Sequence, residues 1–258
     1  MSPPPPPLRL AILEADTPLP GIDARYHGYH GVFTHLFTRA VAPTPLSSAL
    51  TLSRHHIVDD SPPPGTPTSY PPLSSIDTIL ITGSKHSAFE DTPWILALVD
   101  FVRAALTTPH IRIIGVCFGH QIVSRALGVP VRRADAGWEV SVTETHLTLA
   151  GQALFDGRET LKIQQMHRDQ ALGVPPGATL LASTPACPNH GFIVPGRVIT
   201  VQGHPEFTED MMGEILETRR GAGLFDDGLF RDGMARRGEE HDGVVMARVF
   251  LEFLRGAA

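Results

Sequence analysis

One cysteine stands in a sequence context that is typical of a catalytic nucleophile. Cys117 directly follows the apolar run 111–116 and lies between Gly115 and Gly119. G-x-C-x-G at a strand-to-helix turn is the cysteine form of the nucleophile elbow, where glycines allow a tight turn. The positive N-terminus of the following helix stabilises a thiolate, which is the reactive form of cysteine. We therefore predict that Cys117 is a nucleophile and that the backbone N–H of Phe118 stabilises an oxyanion.

A histidine and a glutamate follow a second apolar run. The run Val198–Gln202 leads into a segment that contains His204, Pro205 and Glu206. Pro205 favours an extended backbone at His204, and alternate side chains of an extended chain point the same way. A carboxylate beside an imidazole fixes its tautomer and stabilises the imidazolium. The spacing predicts that His204 is a general base and that Glu206 orients it.

The elements around these residues indicate an α/β fold. Buried strands are predicted for the apolar runs Leu8–Leu13, Leu50–Ser53, Ile76–Thr82, Ile111–Val116 and Val198–Gln202. Helices are predicted for Trp94–Leu106, His120–Leu127, Glu209–Arg219 and Val244–Leu254. Apolar strands that alternate with helices are typical of a parallel sheet covered on both faces. Between residues 138 and 192, shorter alternating strands predict a small antiparallel extension of this doubly wound domain.

Composition excludes several classes of protein. The chain has 258 residues and a formal net charge of −6, which does not fit a basic nucleic-acid-binding protein. No apolar run of roughly 18 residues predicts a membrane span, and the N-terminal segment does not resemble a secretory signal. Two cysteines are too few for a disulfide framework or a cysteine-rich zinc module. We therefore expect a cytoplasmic protein with no nucleic-acid or membrane partner.

The domain organisation is expected to be simple. Residues 1–7 form a proline-rich tail, and residues 8–258 are predicted to form a single domain. A second proline cluster, Ser61–Pro72, is expected to be a surface loop. The chain has 13 histidines, but none stands in an H-E-x-x-H pattern, so no metal is expected. Two arginine pairs, Arg219–Arg220 and Arg236–Arg237, are interpreted as solvated surface.

The combination of motifs resembles a known family. The segments GVCFGHQ and GHPEF are similar to those of the triad-type class I glutamine amidotransferases. Within that family, the segments ITGSKHSAFED, GVCFGHQIVSRALG, GWE, MHRDQ and VQGHPEFTED resemble the standalone gamma-glutamyl peptidases of plants and related fungal proteins, some of which are described as GMP synthase-like. These segments extend from about residue 79 to residue 210, which covers most of the expected domain.

The resemblance implies a fold and a set of site residues. The fold would be flavodoxin-like, with the active site at the carboxyl edge of the sheet. Cys117, His204 and Glu206 would form the catalytic triad. The backbone N–H of Gly83, after the strand Ile76–Thr82, would join that of Phe118 in the oxyanion hole. Four further residues would bind the substrate, namely Ser84, Gln121, His167 and Asp169. No cofactor or metal is implied.

Three functions stay open at this point. The first is a cysteine-dependent hydrolase that cleaves gamma-glutamyl amide bonds, in a gamma-glutamyl peptide or in glutamine, through a gamma-glutamyl thioester. The second is a glutaminase subunit that supplies ammonia to a separate synthetase partner. The third is a non-catalytic binding protein on the same fold. The presence of all three residues, Cys117, His204 and Glu206, argues against the third.

Overall fold

Strands and helices alternate along the residues that the computed structural model describes, which are 6–58 and 70–256. The strands are β1 (Leu8–Glu14), β2 (Leu50–His56), β3 (Thr78–Ile81), β4 (Arg112–Val116), β5 (Val131–Arg133), β6 (Glu139–Leu147), β7 (Thr160–His167), β8 (Asp169–Ala171), β9 (Thr179–Leu180), β10 (Ala182–Ser183), β11 (Phe192–Val194) and β12 (Val198–Val201). The helices are α1 (Pro20–Tyr26), α2 (Tyr29–Val41), α3 (Pro93–Thr107), α4 (Phe118–Ala126), α5 (Leu149–Leu154), α6 (Glu209–Gly221), α7 (Asp227–Arg236) and α8 (Gly243–Arg255).

A seven-stranded sheet lies at the centre of the fold, with the strand order β2-β1-β3-β4-β12-β11-β9. The first five strands are parallel, whereas β11 and β9 are added in antiparallel orientation. Every residue of β3 and of β12 is buried, as expected for strands that are covered on both faces. Since β3, β4 and β12 are neighbours and parallel, their carboxyl ends meet at one edge of the sheet.

Helices cover both faces of this sheet. Because side chains alternate along a strand, Leu10 of β1 belongs to one core cluster and Ala11 to the other. The Leu10 face is packed by α2 and α8, which contribute Phe33 and Phe250, both completely buried. The opposite face is packed by α3 and α4. Complete burial of each large apolar side chain contributes roughly 1.5–3 kcal/mol, so these contacts hold the layers together.

Two smaller antiparallel sheets extend the fold. One has the order β10-β6-β7, and the other pairs β5 with β8. The register of β6 and β7 places Glu139 opposite His167. A third core cluster, which includes Val140, Met166 and Met212, packs the β6–β7 hairpin against α6. The expected mostly parallel α/β sheet with a small antiparallel extension is therefore confirmed.

Not every element was expected from the sequence. Each predicted strand and helix has a counterpart, but α1, α2, α5 and α7 were not predicted. The proline tail at residues 1–5 and the part of the proline-rich loop at residues 61–69 lie outside the described residues, and the domain boundaries stay a prediction. Among the described helices, none is both long and apolar enough to cross a membrane.

Candidate active site

The turn at Cys117 has the backbone conformation of a nucleophile elbow. Cys117 joins β4 to α4 with φ 50° and ψ −103°, a region that side-chain-bearing residues rarely adopt. Its N–H donates to the carbonyl of Val201, at 2.9 Å, which ties the turn to β12. A Cβ atom on Gly115 would lie 2.8 Å from the carbonyl carbon of Gly119, and one on Gly119 would lie 2.3 Å from the carbonyl oxygen of Ile81. The flanking positions therefore accept only glycine.

The imidazole of His204 is held on several sides. Its Nδ1 lies 2.8 Å from Oε1 of Glu206, and both side chains are buried. The ring stacks on Phe207 with a centroid distance of 4.0 Å and an interplanar angle of 4°. The backbone N–H of His204 donates to the carbonyl of Gln164, at 2.8 Å. Because Nδ1 is hydrogen-bonded to Glu206, only the other ring nitrogen, Nε2, is available to exchange a proton with a substrate.

Electrostatics favour the charged form of this imidazole. Burial opposes the imidazolium, but the nearby Cys117 and Glu206 side chains outweigh it and raise the pKa of His204 to about 10. At neutral pH the ring is therefore protonated and can donate a proton from Nε2. The second cysteine differs, because burial raises the pKa of the Cys187 thiol to about 12 and keeps it protonated.

One predicted oxyanion donor, Phe118, belongs to the elbow, and the other, Gly83, lies beside His204. Phe118 is the first residue of α4, so its N–H has no partner within the helix. Gly83 follows β3, and a Cβ atom at this position would lie 2.5 Å from Cε1 of His204. The hydroxyl of Thr82 donates to the Gly83 carbonyl, at 3.0 Å, and accepts from the N–H of Ala15, at 3.0 Å. These bonds hold the Gly83 peptide next to the imidazole.

The four residues predicted to bind substrate line one small polar pocket, which we call the thiol pocket. It has a volume of about 50 Å³ and is lined, among others, by Ser84, Cys117, Gln121, His167 and Asp169. The amide of Gln121 donates to the Asp169 carbonyl, at 2.8 Å, and to Oε1 of Gln202, at 3.0 Å. Gln202 lies 3.5 Å from the Cys117 sulfur. The four residues predicted to bind substrate thus line the same pocket as the Cys117 thiol. Gln202, which was not predicted, also lies next to this thiol.

Behind His167 lies a buried cluster that sequence analysis missed. Oε2 of Glu139 is 3.2 Å from Nε2 of His167 and 3.0 Å from Nε2 of His190. Burial alone would raise the pKa of Glu139, but the two imidazoles beside its carboxylate hold that pKa well below its usual range. Burial also lowers the pKa of His167, which favours the neutral ring. The ligand atoms of this cluster lie within 4.8 Å of one another, so these three residues could hold a metal ion.

Two arginines at the thiol pocket were also missed. Arg168 and Arg219 line the pocket and lie over the ring of Trp138, at 4.9 Å and 5.1 Å from its centroid. Among the ion pairs of the described residues, neither guanidinium has a carboxylate partner. The interpretation of Arg219 as solvated surface is therefore wrong, because α6 turns this side chain toward the site. The positive charges favour a substrate that carries a negative group.

Comparison with known proteins shows the family of this chain. The fold and the Cys–His–Glu arrangement define a class of flavodoxin-like proteins with a cysteine elbow. The family model for class-I glutamine amidotransferases matches residues 64–219. A putative glutamine amidotransferase-like protein of Schizosaccharomyces pombe is 36% identical over 249 residues, which are 95% of this chain and 98% of that protein. The chain belongs to the class I glutamine amidotransferase family.

Two further proteins are also similar to this chain. Gamma-glutamyl peptidase 4 of Arabidopsis thaliana is 33% identical over 152 residues, which are 56% of this chain and 59% of that protein. A solved structure of a glutamine amidotransferase from Thermotoga maritima superposes with a TM-score of 0.68, at 16% identity, and covers 96% of this chain and 98% of that one. This structural match supports the fold alone.

Proposed function

We propose that this protein hydrolyses gamma-glutamyl amide bonds with Cys117 as the nucleophile. The observation that carries the proposal is the pairing of a strained cysteine elbow with a buried imidazole that Glu206 holds at 2.8 Å. Such a pair supplies both a thiolate and a proton donor, which are the two groups that amide cleavage needs. The similarity to proteins named gamma-glutamyl peptidases supports the gamma-glutamyl group as the acyl half of the substrate.

The reaction starts with the Cys117 thiolate, which attacks the gamma-carbonyl carbon. A carbon–sulfur bond forms, and the carbonyl oxygen becomes an oxyanion that accepts hydrogen bonds from the N–H groups of Gly83 and Phe118. The imidazolium of His204 donates its Nε2 proton to the amide nitrogen, and the carbon–nitrogen bond breaks. An amine leaves, and the gamma-glutamyl thioester of Cys117 and a neutral His204 remain.

Water completes the cycle. Neutral His204 accepts a proton from a water molecule whose oxygen attacks the thioester carbon. The carbon–sulfur bond breaks, the product leaves as the gamma-carboxylic acid and loses that proton to the solvent as glutamate, and the Cys117 thiolate and the His204 imidazolium are restored. In both halves Glu206 stabilises the positive ring without exchanging a proton.

A second function is favoured by a different similarity. The chain is 33% identical over 150 residues to a GMP synthase of Bordetella avium, of which it covers 27%. A subunit of that kind would release ammonia from glutamine for a synthetase partner. The same triad serves both functions, and they differ in the leaving group and in the need for a partner.

Glutamate release by the purified protein tests both proposals. We expect release without ATP or a partner, and faster from a gamma-glutamyl peptide than from glutamine. Cys117→Ala should abolish release without changing thermal unfolding. Cys187→Ala is the matched control, because that cysteine is also buried and free but its thiol is protonated. If the wild type released no glutamate from any substrate alone, and did so only after a synthetase was added, the ammonia-supplying subunit would be favoured instead.

A further inference from the structure

A second and larger cavity opens beside the catalytic imidazole. Its volume is about 230 Å³, against about 50 Å³ for the thiol pocket. We call it the amine-side cavity, and define its wall by Leu19, Ile22, Phe207, Ile215 and Leu224. These five side chains are apolar, and apolar surface is a larger share of this cavity than of the thiol pocket. The rest of the lining includes polar and charged side chains, among them Asp16, Thr17, Lys85 and Arg219. The wall is contributed by α1, α6 and the loops that flank them.

The two spaces meet at the triad. Ser84, Met166 and Arg219 are among the residues that line both. Cys117 lines only the thiol pocket, whereas His204 lines only the amine-side cavity. The sulfur that attacks the carbonyl and the imidazole that protonates the leaving nitrogen therefore face different spaces.

This arrangement indicates which half of an amide substrate binds in each space. An acyl group bound at Cys117 occupies the thiol pocket. The leaving nitrogen must lie within hydrogen-bond reach of His204 Nε2, so its substituent points into the amine-side cavity. Ammonia is about the size of a water molecule, which takes roughly 30 Å³ in the liquid. The cavity is several times larger, and the five apolar side chains of its wall make no hydrogen bond to ammonia.

Resting on the proposed function, we propose that the amine-side cavity binds an apolar substituent on the leaving nitrogen. The preferred substrates are then gamma-glutamyl amides of bulky aliphatic or aromatic amines. Burial of one methylene group favours binding by about fourfold. An isobutyl group has three more carbons than a methyl group, so at least a tenfold gain in kcat/KM is expected between these two amides.

Gamma-glutamyl alkylamides of increasing size test the proposal. Glutamine, the methylamide and the isobutylamide differ in the volume of the leaving group, and the two alkylamines have similar basicity. We expect kcat/KM for glutamate release to rise along this series. Flat or falling values would overturn the assignment of the cavity and leave the proposed function standing. No glutamate from any of the three would overturn the proposed function, and the cavity assignment with it.

A variant at the edge of the amine-side cavity tests whether the preference for bulky amides arises there. Leu224 lies in the loop after α6 and is 39% exposed, so an aspartate there is compatible with folding. Leu224→Asp should lower the isobutylamide-to-methylamide ratio of kcat/KM to about one. Leu172→Asp is the matched control, because Leu172 is a loop leucine of 46% exposure outside the cavity, and it should keep the wild-type ratio. A wild-type ratio in Leu224→Asp would show that the substituent binds elsewhere and would overturn the proposal.

Discussion

A methyl group added at Gly83 should displace the imidazole of His204, the proposed proton donor. In Gly83→Ala the new Cβ would lie 2.5 Å from Cε1 of His204. Carbon atoms in favourable contact are 3.5–4.0 Å apart, so relief of the clash needs a shift of about 1 Å. The imidazole cannot move away freely, because Phe207 stacks on it at 4.0 Å and Glu206 holds Nδ1 at 2.8 Å.

The expected loss is about 100-fold in kcat/KM. A misplacement of about 1 Å in a catalytic group costs on the order of 10²-fold, which corresponds to about 2.7 kcal/mol of transition-state stabilisation. The oxyanion donor contributes in the same direction, since the Gly83 peptide would shift with the clash. Thermal unfolding should change little by comparison, because Gly83 lies at the surface of a cavity and not within a packed layer.

Glutamate release by the wild type and the variant measures this loss. Gly173→Ala is the matched control, since a Cβ at Gly173 meets no atom within 4 Å and its backbone does not require glycine. The control should retain wild-type kcat/KM. If Gly83→Ala stays within about threefold of the wild type, the imidazole is not held as tightly as its contacts indicate, and the geometric argument fails.

Three further predictions concern the triad. A gamma-glutamyl diazoketone should label Cys117 and leave Cys187 unmodified, as peptide mass spectrometry would show; label on Cys187 would contradict the assignment. His204→Ala should reduce kcat more than Glu206→Gln, because loss of the proton carrier costs more than loss of its orienter; equal losses would contradict this ranking, and a fully active Glu206→Gln would point to another acid. Because its pKa is raised to about 10, the His204 ring should remain protonated between pH 6.5 and pH 9 in an NMR titration. In Cys117→Ala the ring loses the thiolate and should titrate at lower pH, and an unchanged titration would refute the ion pair.

The site residues that could be predicted from the sequence are those whose arrangement depends on neighbours a few positions away. The elbow at Cys117 depends on glycines two residues away on each side, and Glu206 is placed by alternation from His204. Both relations span a few residues, so periodicity and turn chemistry suffice to find them. The strands were predicted for the same reason, since continuous apolar runs mark strands that are buried on both faces.

Long-range pairing explains what was missed. Glu139 meets His167 only because β6 pairs with β7, and His190 joins them from a loop before β11. The alternating pattern between residues 138 and 192 predicted strands but not their register, which sets the partners. Arg219 was misplaced because a pair of arginines at a helix end usually faces solvent. The signal for α2 was present in the apolar spacing from Val32 to Ala40.

The central sheet positions the reacting groups of the site, whereas the elements around the sheet form the wall of the amine-side cavity. Gly83, Cys117 and His204 follow β3, β4 and β12, which are adjacent parallel strands, so strand pairing alone brings the three chemical groups to one edge. The wall of the amine-side cavity comes instead from Leu19, Leu224 and other residues of helices and loops outside the sheet. Changes in those outer elements can therefore alter the preferred amine while the thiolate, the proton donor and the oxyanion donors stay in register. On this argument, substitutions at wall residues other than Phe207, which stacks on His204, should affect the ratio between amides more than the rate of thioester hydrolysis, in which the amine has already left.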